Sequence, residues 1–380
     1  MTHRLLPSLV VIATAVGSLA PAVTLAQRPP AAEPHVSQSW TLERHQEMAR
    51  AIQAQIGVKA NWAPPRTQWG HPDLQGSWTS DSARGIPRER PQQAGTRQFL
   101  TDEEYAARIK RDEQTLRQAF NASGAQTGGR DGAWRGNVTF RLSSQIVDPP
   151  NGRMPAVTPE AATRRAPRDR GSFGEGPFNT FEDFTLYDRC ITRGIVGSVL
   201  PVPYGNGNRI LQTPDGFVIS YEMIHDTRVI PLDGRPHIAS GLRQYLGDSR
   251  GHFEGNTLVV ETTNFTDKTS VGGGNGNGLR HSEALRMTEH LTRIADDVVL
   301  YDVTIDDPKT YARPWTIALP LISPPGFMPL PYDCHEGNGA VKYIMSAERA
   351  EDKAIEEDRK KGIVRARRPT QGEISAPPEN

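Results

Sequence analysis

The chain has 380 residues, and its 44 Lys+Arg balance 44 Asp+Glu, so the formal net charge is zero. That balance excludes the basic excess of a nucleic-acid binder and gives no long-range steering toward acidic partners. Hydrophobic residues make up only 36%, and 35 Gly with 31 Pro suit a loop-rich or all-β protein better than a helical bundle.

In chain order, the first element is a targeting segment. His3 and Arg4 precede an apolar run from Leu5 to Leu19, and Thr24-Leu25-Ala26 follows. This is the layout of a signal peptide cleaved after Ala26, with Gln27 in place of a lipoprotein cysteine. No later stretch approaches the ~18 apolar residues that a membrane span needs. The mature chain is therefore expected to be exported, periplasmic or secreted, with no membrane span.

Residues 27–39 read as a linker and 40–361 as a single β-rich domain. Leu42, Met48, Ala49, Ile52 and Ile56 recur at helical spacing and predict a helix over 40–57. The run from Asp73 to Trp78 predicts a strand. Thr101 and Glu104 form a capping box that opens a helix to about residue 120. Residues 121–136 and 161–182 read as irregular. Strands are expected over 144–148, 209–213 and 217–231, then from 250–254 into 257–265. Further strands are expected over 285–295, 298–306 and 314–321, with a Gly-rich loop or lid at 271–278. A charged helix over 339–361 and a disordered tail over 362–380 complete the chain. Many strands with short turns predict an antiparallel meander, closed or nearly closed into a barrel, with a β-sandwich as the alternative.

The two cysteines, Cys190 and Cys334, are expected to form one disulfide in an oxidising compartment. The alternative is a reactive or metal-ligating thiol beside His335 and Glu336.

Three polar constellations carry candidate chemistry. In the first, Glu222, Asp226 and Arg228 share one face of a continuous strand over 217–231, and Tyr221 and His225 share the other. His225 is the candidate general base, Asp226 its orienter and Arg228 a clamp for an anionic or hydroxylated ligand, with Glu222 and Tyr221 beside it. The alternative is an ion network of Arg228 with Asp226 and Glu222. In the second, Asp248, Arg250 and His252 lie in a glycine-bounded turn, where Asp248 and His252 form a base–orienter pair or Asp248 caps backbone N–H groups. In the third, a bridged Cys334 pins His335 and Glu336, which suits catalysis by His335 with Glu336 on the substrate, or metal binding; the alternative is capping of the last helix, with Asn338 as N-cap. No cofactor is expected. A divalent metal held by histidines drawn from His225, His237, His252, His281, His290 and His335 is the open option, since no zinc-type spacing occurs.

The runs HPDLQGSW (71–78), QIVDPPNGRMPAVTPE (145–160), EMIHDTRVIPLDGRPH (222–237), YLGDSRGHFEGNTLVVETTNFTD (245–267) and YDCHEGN (332–338) resemble a family of secreted, functionally uncharacterised proteins of environmental Gram-negative bacteria. The resemblance covers about residues 60–350 and implies export but no particular activity. The LQGSW opening and the GNTLVVET strand also look like lipocalin-type barrels. The expected function is acid–base chemistry, as a lyase, isomerase or hydrolase, on a small carbohydrate- or aromatic-derived substrate. The alternatives are a lipocalin-like binding protein without turnover and a structural envelope protein.

Overall fold

The computed structural model describes residues 40–123, 140–164, 178–202, 205–271 and 279–364. The signal peptide, the linker, the Gly-rich loop, and most of the 121–136 segment and of the tail lie outside the described residues. So does the middle of the 161–182 segment.

The described residues form twelve strands: β1 (Gly76–Thr79), β2 (Ile146–Asp148), β3 (Gly207–Thr213), β4 (Gly216–Tyr221), β5 (Thr227–Pro231), β6 (Asp248–Glu254), β7 (Thr257–Thr263), β8 (Ser270–Val271), β9 (Leu279–Arg280), β10 (Arg286–Ala295), β11 (Val298–Asp306) and β12 (Trp315–Ile322). Nine of them form one antiparallel sheet in the order β5-β4-β3-β1-β12-β11-β10-β7-β6. Read around the ring, that order is chain order, so the meander expected from the sequence closes between its first and last strands, β1 and β12. β2 adds to β12, and β8 and β9 make a separate small hairpin.

Strand parity explains why closure is incomplete. Nine strands that alternate direction leave the end strands β5 and β6 running the same way. A tight hairpin cannot join them, so residues 232–247 carry the chain from the end of β5 back to the level where β6 starts. The β5–β6 seam is closed by side chains: a Cβ on Gly251 would lie 2.9 Å from both Ile230 and Leu232. Glycine is what lets the two edges meet.

Alternation then sorts the core. Phe217, Ile219, Ile230, Leu258, Val260, Leu291, Tyr301, Ile317 and Leu319 point inward and are all buried. Small barrels are filled by their own side chains in this way. The outer face of β10 and β11 is covered by helix α1 (Leu42–Gln55), which buries His45, Met48, Ala49 and Ile52 at helical spacing. Thr41 caps its first turn by accepting from Arg44 N at 3.4 Å. Helix α2 (Asp102–Ser123) starts on the expected capping box. Glu104 N donates to Thr101 Oγ1 at 3.3 Å, and Thr101 N donates to Glu104 Oε2 at 2.9 Å. The Arg97 guanidinium and the Thr101 N–H hold the Glu104 carboxyl down to about 2. Short helices α3 (Pro159–Thr163) and α4 (Gly194–Val199) and the exposed helix α5 (Ala340–Lys360) complete the described fold. No described helix is long and apolar enough to cross a membrane.

Candidate functional site

The predicted strand over 217–231 is two strands. Ile224 and His225 sit at φ 66° and 48°, so the chain reverses between β4 and β5. A β-branched residue pays for the left-handed region, and no propensity rule flags Ile224 for it. The reversal changes the face assignment. Tyr221 and Arg228 both point into the barrel, whereas His225 is exposed at the hairpin tip and its Nδ1–H donates to the Tyr332 carbonyl at 3.0 Å.

Arg228 makes neither of the pairs expected of it. It forms a two-pronged ion pair across the barrel interior with Glu289, at 2.6 and 2.8 Å, and Tyr301 OH donates to the same carboxylate at 3.0 Å. Burial works against the guanidinium charge, but Glu289 outweighs it and raises the Arg228 pKa. Burial likewise pushes the Tyr221 and Tyr301 hydroxyls up. Among the described residues Tyr221 OH has no hydrogen-bond partner. Glu222 is a bracket: its oxygens accept from Gly207 N at 2.9 Å and Leu330 N at 3.2 Å. Asp226 accepts from Thr192 Oγ1 at 2.6 Å, and burial raises its pKa.

In the second constellation Asp248 pairs with a different histidine. His252 bonds the exposed Glu254 at 2.9 Å. Asp248 instead accepts from His237 Nδ1 at 2.8 Å and from Ile238 N at 3.2 Å, and it forms an ion pair with Arg250 Nη2 at 3.3 Å. The strand register places His252 four residues along β6 from Asp248, and the 232–247 crossover brings His237 back to it. Asn264, itself at φ 58°, pins that crossover by donating from Nδ2 to the carbonyls of Ile238, Ala239 and Leu242. His237 thereby stands in the wall of a cavity of about 510 Å³, with Arg243, Thr263, Leu285 and Arg286 among its neighbours there.

The tautomer follows from the contacts. A carboxylate only accepts, so His237 Nδ1 carries the proton. Nε2 makes no hydrogen bond among the described residues and is the accepting nitrogen of the neutral ring. This is the base–orienter arrangement used in acid–base sites.

The third constellation meets the first. Cys190 and Cys334 form the expected disulfide, with Cα atoms 5.6 Å apart. His335 and Glu336 are exposed beside it. Asn338 Nδ2 donates to the Asp188 carbonyl at 3.1 Å, and its Oδ1 accepts from Ala340 N at 3.3 Å at the start of α5.

Sequence reasoning missed a fourth cluster. Beneath α1, the buried Asp302 accepts from Trp40 Nε1 at 3.0 Å, from His290 Nδ1 at 2.8 Å and from His45 Nδ1. His45 Nε2 reaches Thr292 Oγ1 at 2.7 Å. Burial opposes the Asp302 charge, but the two histidines outweigh it and hold its pKa down. The ligand atoms of His45, His290 and Asp302 lie within 4.8 Å of one another, so the three could hold a metal ion. The hydrogen bonds satisfy the same atoms without one. A signal for this cluster was present: His45 falls on the stripe of Met48, Ala49 and Ile52.

Compared with known proteins, the chain matches no family model, no curated protein and no solved structure.

Proposed function

We propose that the protein is an exported enzyme that performs acid–base chemistry on a small carbohydrate- or aromatic-derived molecule, with His237 as the proton acceptor and Asp248 as its orienter. The observation that carries this reading is the His237–Asp248 pair in the wall of the 510 Å³ cavity. That volume falls in the usual range for a small-molecule site. Leu285 and Ala284 offer an apolar surface for a ring, and Arg286 and Arg243 offer donors for oxygen atoms. Arg243 is held in turn by Glu283 at 3.0 Å. Export is supported by the signal-type N-terminus and by the Cys190–Cys334 bridge. The filled barrel interior favours this reading over a lipocalin-like carrier.

The test is consumption of a mixed pool of sugar lactones, uronides, keto-sugars and phenolic esters, followed by mass spectrometry. Wild type should consume a member of the pool, and His237→Asn should slow it by roughly 10²–10⁴-fold, the usual worth of a positioned base. Equal rates for the two proteins would overturn the assignment of His237.

A further inference from the structure

The buried cluster under helix α1 brings together side chains from three elements. His45 comes from α1, His290 from β10 and Asp302 from β11. His290 and Asp302 are cross-strand partners, so the sheet sets their side chains side by side on its outer face. His45 meets them from the stripe that α1 turns to the sheet. The three ligand atoms lie within 4.8 Å of one another, and the residues are 0%, 3% and 0% exposed.

The donor set is selective. Two imidazole nitrogens and a carboxylate oxygen suit zinc and its transition-metal neighbours, whereas calcium and magnesium take oxygen ligands. Both rings turn Nδ1 to the carboxylate, His290 to Asp302 Oδ1 at 2.8 Å and His45 to Asp302 Oδ2. Without an ion these nitrogens carry protons, because a carboxylate only accepts. A metal ion would take the place of those protons at the same atoms.

The surrounding groups are of the kind that hold metal ligands in position. Ligating histidines are oriented through the second ring nitrogen, and ligating carboxylates are hydrogen-bonded in turn. His45 Nε2 meets Thr292 Oγ1 at 2.7 Å, and Thr292 Oγ1 meets Thr257 Oγ1 at 2.7 Å. A hydroxyl both donates and accepts, so Thr292 serves His45 whether its Nδ1 holds a proton or an ion. Trp40 Nε1 donates to Asp302 Oδ2 at 3.0 Å. Trp40, Met48, Ala49 and Ile52 are buried along the same face, so the ligands lie in an apolar layer that strengthens charge interactions.

We infer that His45, His290 and Asp302 bind one divalent transition-metal ion, zinc by its donor preference, which clamps α1 to β10 and β11. Three protein ligands leave one position of a tetrahedral ion to a solvent molecule. The inference is independent of the proton-transfer role of His237.

The experiment titrates the full chain, freed of metal by a chelator, with zinc chloride and separately with cobalt(II) chloride and calcium chloride. One equivalent of zinc should bind and raise the denaturation midpoint. Cobalt should give the visible bands of a four-coordinate ion, and calcium should do neither. His45→Gln and His290→Gln each keep a polar side chain in place, and circular dichroism checks that they fold. Each should weaken zinc by more than the roughly 10–100-fold that loss of an outer partner costs. His237→Asn should bind zinc as wild type does. Absence of saturable zinc binding by wild type would overturn the inference without recourse to any variant. So would undiminished affinity in both cluster variants, or loss of zinc in His237→Asn alone, which would place the ion in the His237 cavity.

Discussion

Arg228 shows how one contact across the barrel redirects a residue that looked functional from its neighbours in the chain. Its guanidinium and Glu289 are both buried, so removing one leaves the other charge uncompensated. Arg228→Met should cost roughly 3–5 kcal/mol in chemical denaturation, and adding Glu289→Met should restore most of that loss. A double variant as unstable as the single one would contradict the pairing. His281 carries a second residue-scale prediction. Burial holds it below its ordinary value of 6.5, so the folded chain keeps it neutral. Below pH 6.5 the unfolded chain takes up a proton that the folded chain refuses, so stability falls as pH falls through that window. Denaturation of wild type and His281→Leu between about pH 7.5 and about pH 5 should show the steeper decline in wild type, and parallel curves would contradict it.

Among the elements, the contact that fixes helix α1 is the Asp302 carboxylate with its three donors. Asp302→Ala would leave His45, His290 and Trp40 facing an apolar gap, at a cost of about 3 kcal/mol or more. Hydrogen exchange should then rise over 42–55 before it rises in β10 to β12, and uniform exchange would argue that the helix is held by its apolar face alone. Gly247 fixes the turn into β6 at φ 65°, where a Cβ would stand 2.4 Å from the Thr263 carbonyl. Gly247→Ala should cost roughly 1–3 kcal/mol and loosen the Asp248–His237 bond with it. Helices and regular strands were legible in the sequence because period and caps are local: α1, α2, β10, β11 and α5 fall within a few residues of where Leu42, Thr101 and the Asp296-Asp297 turn place them. The β4–β5 reversal was not legible. Ile224 and His225 adopt left-handed conformations imposed by the surrounding structure, and no Gly or Pro between Tyr221 and Arg228 marks the reversal.

For the whole molecule, the sequence order of the strands is the order around the ring, so a meander reading reached the barrel directly. The sites are another matter, because they form where distant segments meet. Asp248 was recognised as an orienter, but its partner arrives through the crossover that an odd strand count requires. The disulfide spans a separation of 144 residues and ties the chain before α4 to the chain leading into α5. Replacing both cysteines by serine should cost roughly 4–5 kcal/mol in the chain-entropy account, read as a lower denaturation midpoint.

The claim on which the account turns is that Asp248 holds His237 in one tautomer with Nε2 as the accepting nitrogen. The direct measurement is the ¹⁵N chemical shift of the His237 ring in selectively labelled protein, recorded across its titration. The account predicts a neutral ring protonated at Nδ1, with that preference lost in Asp248→Asn. A neutral ring protonated at Nε2, or one unchanged in Asp248→Asn, would contradict it.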